Sequence, residues 1–351
     1  MAQPIRVAVF GCGFWSRFQI AAWRELEGVE ISAVYNRTRA KAQAMADEFG
    51  IKGVFDDPQL LLDSVPVDAV DIITDVDTHK SFVEMALNRG KSVICQKPMA
   101  SNIRDCQAAV DTCAKRGIPF YIHENWRHQT PIRELKRVLL EDQIGEVFRA
   151  RVDFHSAFPV FTNQPFLRTL PQFILTDIGS HIFDAARFLF GEATSICCKT
   201  QKIHSDIAGE DVATALLDMG DLSVTCNMAY AENPHEHDCF PQTFVFVEGA
   251  KGTAYLGPDY ALHVTTAAGT HSWQARPPRF AWADPAYDLV HSSIVSCNRD
   301  LLAGLRGKAT PETTGHDNLK TMRLVYGAYA SARLARIIDP SADDWFDASL
   351  P

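Results

Sequence analysis

The chain has 351 residues, of which 46% are hydrophobic and 22% charged, with a formal net charge of −9. That balance belongs to a folded protein long enough for two cores, and its acidity disfavours a nucleic-acid binder, which normally carries a basic stripe. No repeat or low-complexity tract is present, and no apolar run approaches the roughly 20 residues of a membrane-spanning helix. The start, MAQPIRVAVFGCG, runs into a glycine loop rather than a cleavage site, so a cytoplasmic protein is expected. Nine cysteines, odd in number and without CxxC spacing, fit a reducing compartment and point to no metal site; most should be small buried apolar residues. The adjacent Cys197 and Cys198, in strand-like SICCKTQKI, should face opposite ways.

Up to His123 strands and helices alternate. IRVAVFG is a strand, SRFQIAAWREL a helix, VEISAVYN a strand and TRAKAQAMADEFG a helix closed by Gly50. VDAVDIIT, HKSFVEMALNRG ending at Gly90, and KSVICQ continue the pattern. SNIRDCQAAVDTCAKRG follows, with Ser101 as the expected N-cap and Gly117 past its end, and IPFYIH closes the series. Such alternation predicts an α/β domain over 1–123, a doubly wound parallel sheet covered by helices on both faces. Over 124–351 the texture changes. A helix in PIRELKRVLLED, a strand in GEVFRARVDFH and a helix around TDIGSHIFDAARFLFG precede seven strand-like runs at hairpin spacing. Two helices, LVHSSIVSCNRDLLAGL and HDNLKTMRLVYGAYASARLARII, finish the chain. This predicts an α+β domain with a largely antiparallel open sheet. The turn-rich ARPPRFAWADPAYD is expected to be a lid or an interface loop.

Gly11-Cys12-Gly13-Phe14-Trp15-Ser16 stands between the first strand and the first helix, where a dinucleotide-binding turn belongs. Two glycines permit the tight turn and close approach, and the helix N-terminus offers N–H groups to a pyrophosphate; Ser16 replaces the usual third Gly or Ala. At the end of the second strand, where a ribose-reading acid is usual, stand Asn36 and Arg37. Asn36 can bond ribose hydroxyls without repelling a 2′-phosphate and Arg37 can pair with one, so the residues leave NAD and NADP both open.

In SVICQKPMA, an apolar strand delivers Lys97 to the carboxyl edge of the sheet, and Pro98 restricts the backbone before it, so the ammonium is aimed. In DIGSHIFD, Asp177 and His181 are four apart and would share a helix face, with the carboxylate able to orient the ring. His235 and His237 form an HxH pair without an evident third ligand, read as a solvated loop. Trp126 could stack on a sugar or simply pack. No GxSxG nucleophile motif occurs.

The pieces VAVFGCG, DVDTHKSFVEMALNRGKSVICQKPMA, NWR at 125–127, DIGSHIFD and PETTGHDNLKTMRLVYGAYASAR, in this order along nearly the whole chain, resemble the Gfo/Idh/MocA oxidoreductase family. The resemblance implies a Rossmann domain followed by a substrate-binding and oligomerisation domain, with NAD as cofactor. It implies that Lys97 and His181 are proton-transfer partners beside the carbon that exchanges hydride, with Asp177 binding substrate or steering His181. It assigns Gly11, Gly13, Phe14, Trp15, Asn36 and Arg37 to the cofactor's phosphates and adenosine, Thr74, Asp75 and His79 to its middle, and Gln96 to the nicotinamide ribose. Lys97 itself and Asn125 would also meet the cofactor, and Arg127 the substrate. The family usually has Glu where Gln96 stands, and a proline near Asp75. HENWRHQTPIRELK, AGEDVATALL and FPQTFVFVEGAKGTAYLG resemble sugar 1-dehydrogenases more closely, which implies oxidation of an aldose to a lactone by a homodimer or homotetramer. The same fold also serves non-catalytic dinucleotide sensors and NAD-assisted glycosidases.

Overall fold

A computed structural model describes residues 3–231 and 241–351; His235 and His237 lie outside them. The chain forms two compact units, the first comprising residues up to Asn125 with Arg279–Pro285 and His291–Leu319, the second Trp126–Pro278, Ala286–Val290 and Lys320–Pro351.

The first unit alternates as expected: β1 (Ile5–Phe10), α1 (Phe14–Arg24), β2 (Val29–Tyr35), α2 (Arg39–Phe49), β3 (Gly53–Phe55), α3 (Pro58–Ser64), β4 (Ala69–Ile72), α4 (His79–Leu87), β5 (Ser92–Gln96), α5 (Ile103–Arg116) and β6 (Phe120–His123). The short β3 and α3 are not announced by a hydrophobic period; α3 is set by Asp57, whose side chain accepts from the backbone N–H of Gln59 and Leu60, with Pro58 in its first turn. All six strands are parallel, in the order β3-β2-β1-β4-β5-β6. The order reverses between β1 and β4, and their carboxyl ends open the crevice where such sheets take ligands. Gly50 and Gly117 close α2 and α5 in the left-handed conformation. The cap of α5 is Asn102, one residue past Ser101, because its side chain reaches the N–H of Asp105.

The second unit begins with α6 (Thr130–Leu140), β7 (Val147–Ser156) and the single turn α7 (Val160–Asn163). A π-helical turn, Leu175–Gly179, leads into α8 (Ser180–Phe190), and β8 (Ser195–Gln201), β9 (Val212–Asp218), β10 (Ser223–Tyr230), β11 (Phe244–Gly249), β12 (Gly252–Leu256), β13 (Ala261–Thr266) and β14 (Gly269–Gln274) follow. The sheet order is β14-β13-β12-β11-β7-β10-β9-β8; its pairs are antiparallel except β7 with β10. Burial alternates along β8, β9 and β10, the period of a sheet with one covered face. Cys197 is exposed and Cys198 buried, and the other described cysteines are all buried thiols.

Two long helices close the chain, α9 (Asp288–Leu305) and α10 (Gly315–Leu334). In α9, Cys297, Leu301 and Leu302 pack with Trp23 of α1, Ile94 of β5 and Tyr121 of β6. The last helix stops at Leu334 rather than Ile338: Ala335 has a φ of 52°, and Ile338 instead makes an antiparallel bridge to Ile196. The turn-rich stretch is fastened to α1 where it joins the first unit. Trp282 donates from Nε1 to Glu25 Oε1 at 2.9 Å, and Phe280 and Trp282 pack on Ala22, Ile294 and Val295. Among the described residues no helix is long and apolar enough to cross a membrane.

Candidate cofactor and catalytic site

The glycine loop is shaped by two different demands. Gly11 has a φ of +105°, and a Cβ there would lie 2.5 Å from the Ile73 carbonyl oxygen, so only glycine lets the turn pass the end of β4. Around Gly13 no atom lies within 4 Å of the missing Cβ, and α1 starts there with no side-chain cap and no acidic residue in its first turn. An open cradle, uncapped N–H groups and the positive end of a helix fit the pyrophosphate of a dinucleotide. Ser16 is buried and donates its hydroxyl hydrogen to Gly13 O at 2.8 Å, so the replacement of the third glycine ties the turn together. Phe14 is exposed, while Trp15 packs against the cluster of Val9, Ile20 and Val34.

At the end of β2, Asn36 Oδ1 accepts from the backbone N–H of Cys12 at 3.1 Å and its Nδ2 donates to Thr38 O at 3.1 Å. The amide therefore fixes the height of the glycine loop, and Arg37 beside it is exposed. Beyond β4, Thr74 Oγ1 accepts from the Thr78 hydroxyl at 2.7 Å, and Asp75 is exposed. His79 is buried with Nδ1 3.1 Å from Pro98 O and Nε2 3.0 Å from Thr74 O. Burial pushes its pKa down, against the carbonyls of Thr74, Pro98 and Met99 that favour its protonated form. The ring clasps the β4 turn to the Lys97–Pro98 turn.

Lys97, half-buried, follows β5 at the carboxyl edge and precedes a cis proline. Its neighbour Gln96 turns inward. Gln96 Nε2 donates to Gln19 Oε1 at 2.7 Å and lies 3.1 Å from His123 Nδ1, while Oε1 accepts from the Lys97 backbone N–H at 3.2 Å. Both amide hydrogens are committed inside the unit, so a ribose contact through this side chain falls to its oxygen. Gln19 Nε2 in turn donates to Asp71 at 2.8 Å, and Trp23 Nε1 donates to the same carboxylate at 2.8 Å. Asp71 is wholly buried; desolvation pushes its carboxyl up to about 7, with the indole and amide donors pulling the other way. Asn125, also buried, donates from Nδ2 to Ser293 Oγ at 2.7 Å.

In the second unit, Arg127 is buried and holds Asp184 in a fork, Nε to Oδ2 at 2.7 Å and Nη2 to Oδ1 at 2.6 Å. Thr321 Oγ1 donates to the same carboxylate at 3.0 Å. Arg127 is thus bound to the helix that carries His181, the fork taking up two of its guanidinium donors. His181 lies stacked on Trp126, ring centroids 4.2 Å apart and planes 20° apart, and Trp126 Nε1 donates to Thr243 Oγ1 at 2.7 Å. The indole therefore sets the plane of the histidine ring. Asp177 sits in the π turn, part-exposed, one turn before the buried His181. Glu210 holds the start of that turn: it accepts from the N–H of Phe173 and Leu175 at 3.2 Å and from the Tyr329 hydroxyl at 2.6 Å. Burial raises its pKa against those donors.

Sequence reading missed Asp71, Gln19, Trp23, His123 and Glu210. One signal was available: Asp71 interrupts the apolar strand VDAVDIIT at a position that must be covered on both faces. Among the described residues no group of three His, Cys, Asp or Glu side chains could hold a metal ion.

A parallel sheet with the glycine cradle at its switch point defines a dinucleotide-binding domain. Residues 5–123 match the family described as oxidoreductase family, NAD-binding Rossmann fold, and residues 132–255 match the GFO/IDH/MocA C-terminal domain. The chain belongs to the Gfo/Idh/MocA family. It is 42% identical to a D-apiose dehydrogenase of Paraburkholderia graminis over 95% of this chain and 88% of that one. A D-apiose dehydrogenase of Rhizobium rhizogenes is 37% identical over 96% and 98%. Among solved structures, an oxidoreductase from Agrobacterium radiobacter in complex with NAD+, L-tartaric acid and magnesium superposes with a TM-score of 0.94 at 36% identity, covering 96% of this chain and 99% of that one.

Proposed function

We propose that the protein is an NAD-dependent sugar dehydrogenase that oxidises the anomeric carbon of an aldose to the lactone, D-apiose to apionolactone being the favoured case. The observation that carries this reading is the 42% identity to a D-apiose dehydrogenase along 95% of the chain. NAD, when bound, supplies the hydride acceptor. The N-terminus of α1 and the Gly13 cradle hold its pyrophosphate, and Asn36 and Arg37 face its adenosine ribose. Lys97 takes the proton of the anomeric hydroxyl as that oxygen becomes the lactone carbonyl, with His181 as its proton-transfer partner. Asp177 binds a substrate hydroxyl or steers His181. The open face of the eight-stranded sheet joins a second copy, giving a homodimer or a pair of them.

The test follows NADH absorbance across a panel of aldoses and polyols, with D-apiose expected to give the highest kcat/KM. Lys97→Met should lower kcat by about 10²- to 10⁴-fold. Binding of NAD without turnover of any sugar would make the protein a sensor. Cleavage of glycosides without net NADH would make it a glycosidase.

A further inference from the structure

We propose that Asp71 is a positioning residue: through Gln19 and Gln96, its carboxylate fixes the direction of a closed hydrogen-bond chain that ends on the backbone N–H of Lys97. This rests on the assignment of the proton-accepting role to Lys97.

The chain can be oriented from one end. Above about pH 7, where Asp71 is ionised, its carboxylate only accepts, and an indole only donates, so the bond from Trp23 Nε1 to Asp71 Oδ2 at 2.8 Å has one possible direction. Gln19 lies with its Nε2 2.8 Å from both Asp71 oxygens and must present its NH₂ there, which turns its Oε1 toward Gln96. Gln96 then has to present NH₂ to Gln19, at 2.7 Å, and this leaves its Oε1 for the Lys97 N–H at 3.2 Å. The second amide hydrogen of Gln96 points to His123 Nδ1, which therefore accepts. His123 then carries its hydrogen on Nε2 and donates to Asn298 Oδ1 at 3.0 Å, and Asn298 Nδ2 returns to the Gln19 backbone carbonyl at 3.3 Å. Asp71, Gln19, Gln96, His123 and Asn298 are all buried. The Asp71 carboxylate, the Lys97 N–H and the Gln19 backbone carbonyl thus impose one consistent set of donors and acceptors around the ring.

The weak point of such a ring is Gln19, which has one NH₂ end and one oxygen end. It can serve a carboxylate on one side only. A second carboxylate at position 96 would set an acceptor against Gln19 Oε1, and the oxygen that accepts from the Lys97 N–H would lose its anchor to Gln19. If position 71 becomes an amide at the same time, Gln19 can turn round: its NH₂ serves the new glutamate, and its oxygen accepts from the new asparagine.

The experiment compares wild type, Asp71→Asn, Gln96→Glu and the double variant, each measured for kcat and KM with NAD and the best aldose, and for Tm. Each single variant should lose about tenfold in kcat with a smaller change in KM, and its Tm should fall; the double variant should regain most of both, since residues that share a partner in one hydrogen-bond network couple. Losses that simply add, or a Tm that recovers while kcat does not, would overturn the proposal. Should Asp71→Asn not fold, Gln96→Met removes the amide at nearly constant volume, and wild-type kcat in that variant would overturn it equally. Full activity in Lys97→Met would strike out the role on which the proposal rests, while the Tm cycle, read without turnover, would still report whether the ring exists.

Discussion

At the scale of single residues, Asn36 shows how one side chain serves two purposes. Its oxygen holds the Cys12 N–H and so the glycine loop, and its neutrality leaves the end of β2 without the acid that favours a free ribose. In Asn36→Asp the carboxylate can still accept from Cys12, but it also binds the ribose hydroxyls and repels a 2′-phosphate. The ratio of kcat/KM for NAD over NADP should rise about tenfold, the size of one charge-assisted hydrogen bond; an unchanged ratio would mean that Arg37 alone reads this position. Gly11, Asn36 and Lys97 were legible because strand-turn-helix order places them without knowledge of distant contacts. Asp71 was not, since its partners Gln19 and Trp23 are 52 and 48 residues away. Gln96 was legible as unusual, but its inward turn was not, because sequence period does not say which way a residue at the very end of a strand turns.

At the scale of elements, α8 is the helix that presents His181, and it is fixed from three sides. Arg127 and Thr321 hold Asp184, Trp126 lies flat on the histidine, and Arg187 donates to Thr321 Oγ1 at 2.7 Å and to Glu192. Removing one partner of a buried, forked ion pair strands the other, so Asp184→Ala should lower stability by about 3–5 kcal/mol, measured by denaturant unfolding. An Arg127→Ala variant of wild-type stability would refute this account of the fork. The helix itself could be read from DIGSHIFD, whereas the π turn at its start could not. It is set by Glu210, more than 30 residues further along the chain, which takes up the N–H groups of Phe173 and Leu175.

At the scale of the molecule, the sheet of the second unit has one face under α8 and another that carries Leu216, 48% exposed, beside Cys197, Lys199 and the Arg149–Glu248 pair. A face of mixed apolar and paired polar groups suits a self-complementary interface. Sedimentation at micromolar concentration should find a dimer or larger, and a charge introduced by Leu216→Glu should shift it toward monomer; a wild-type monomer would end that proposal. The alternation of strands and helices announced both sheets and nearly all their strands, because each lies in a short window with its own period. The route of the chain was less visible: the first unit borrows α9, and Leu301 and Leu302 seat themselves beside Trp23, Ile94 and Tyr121. This has a consequence for synthesis. Emerging from the ribosome, the nucleotide-binding sheet waits with one apolar flank uncovered until some 180 further residues have been made. A nascent chain halted at residue 125 should bind chaperones and precipitate when released, although it contains every residue of the glycine cradle.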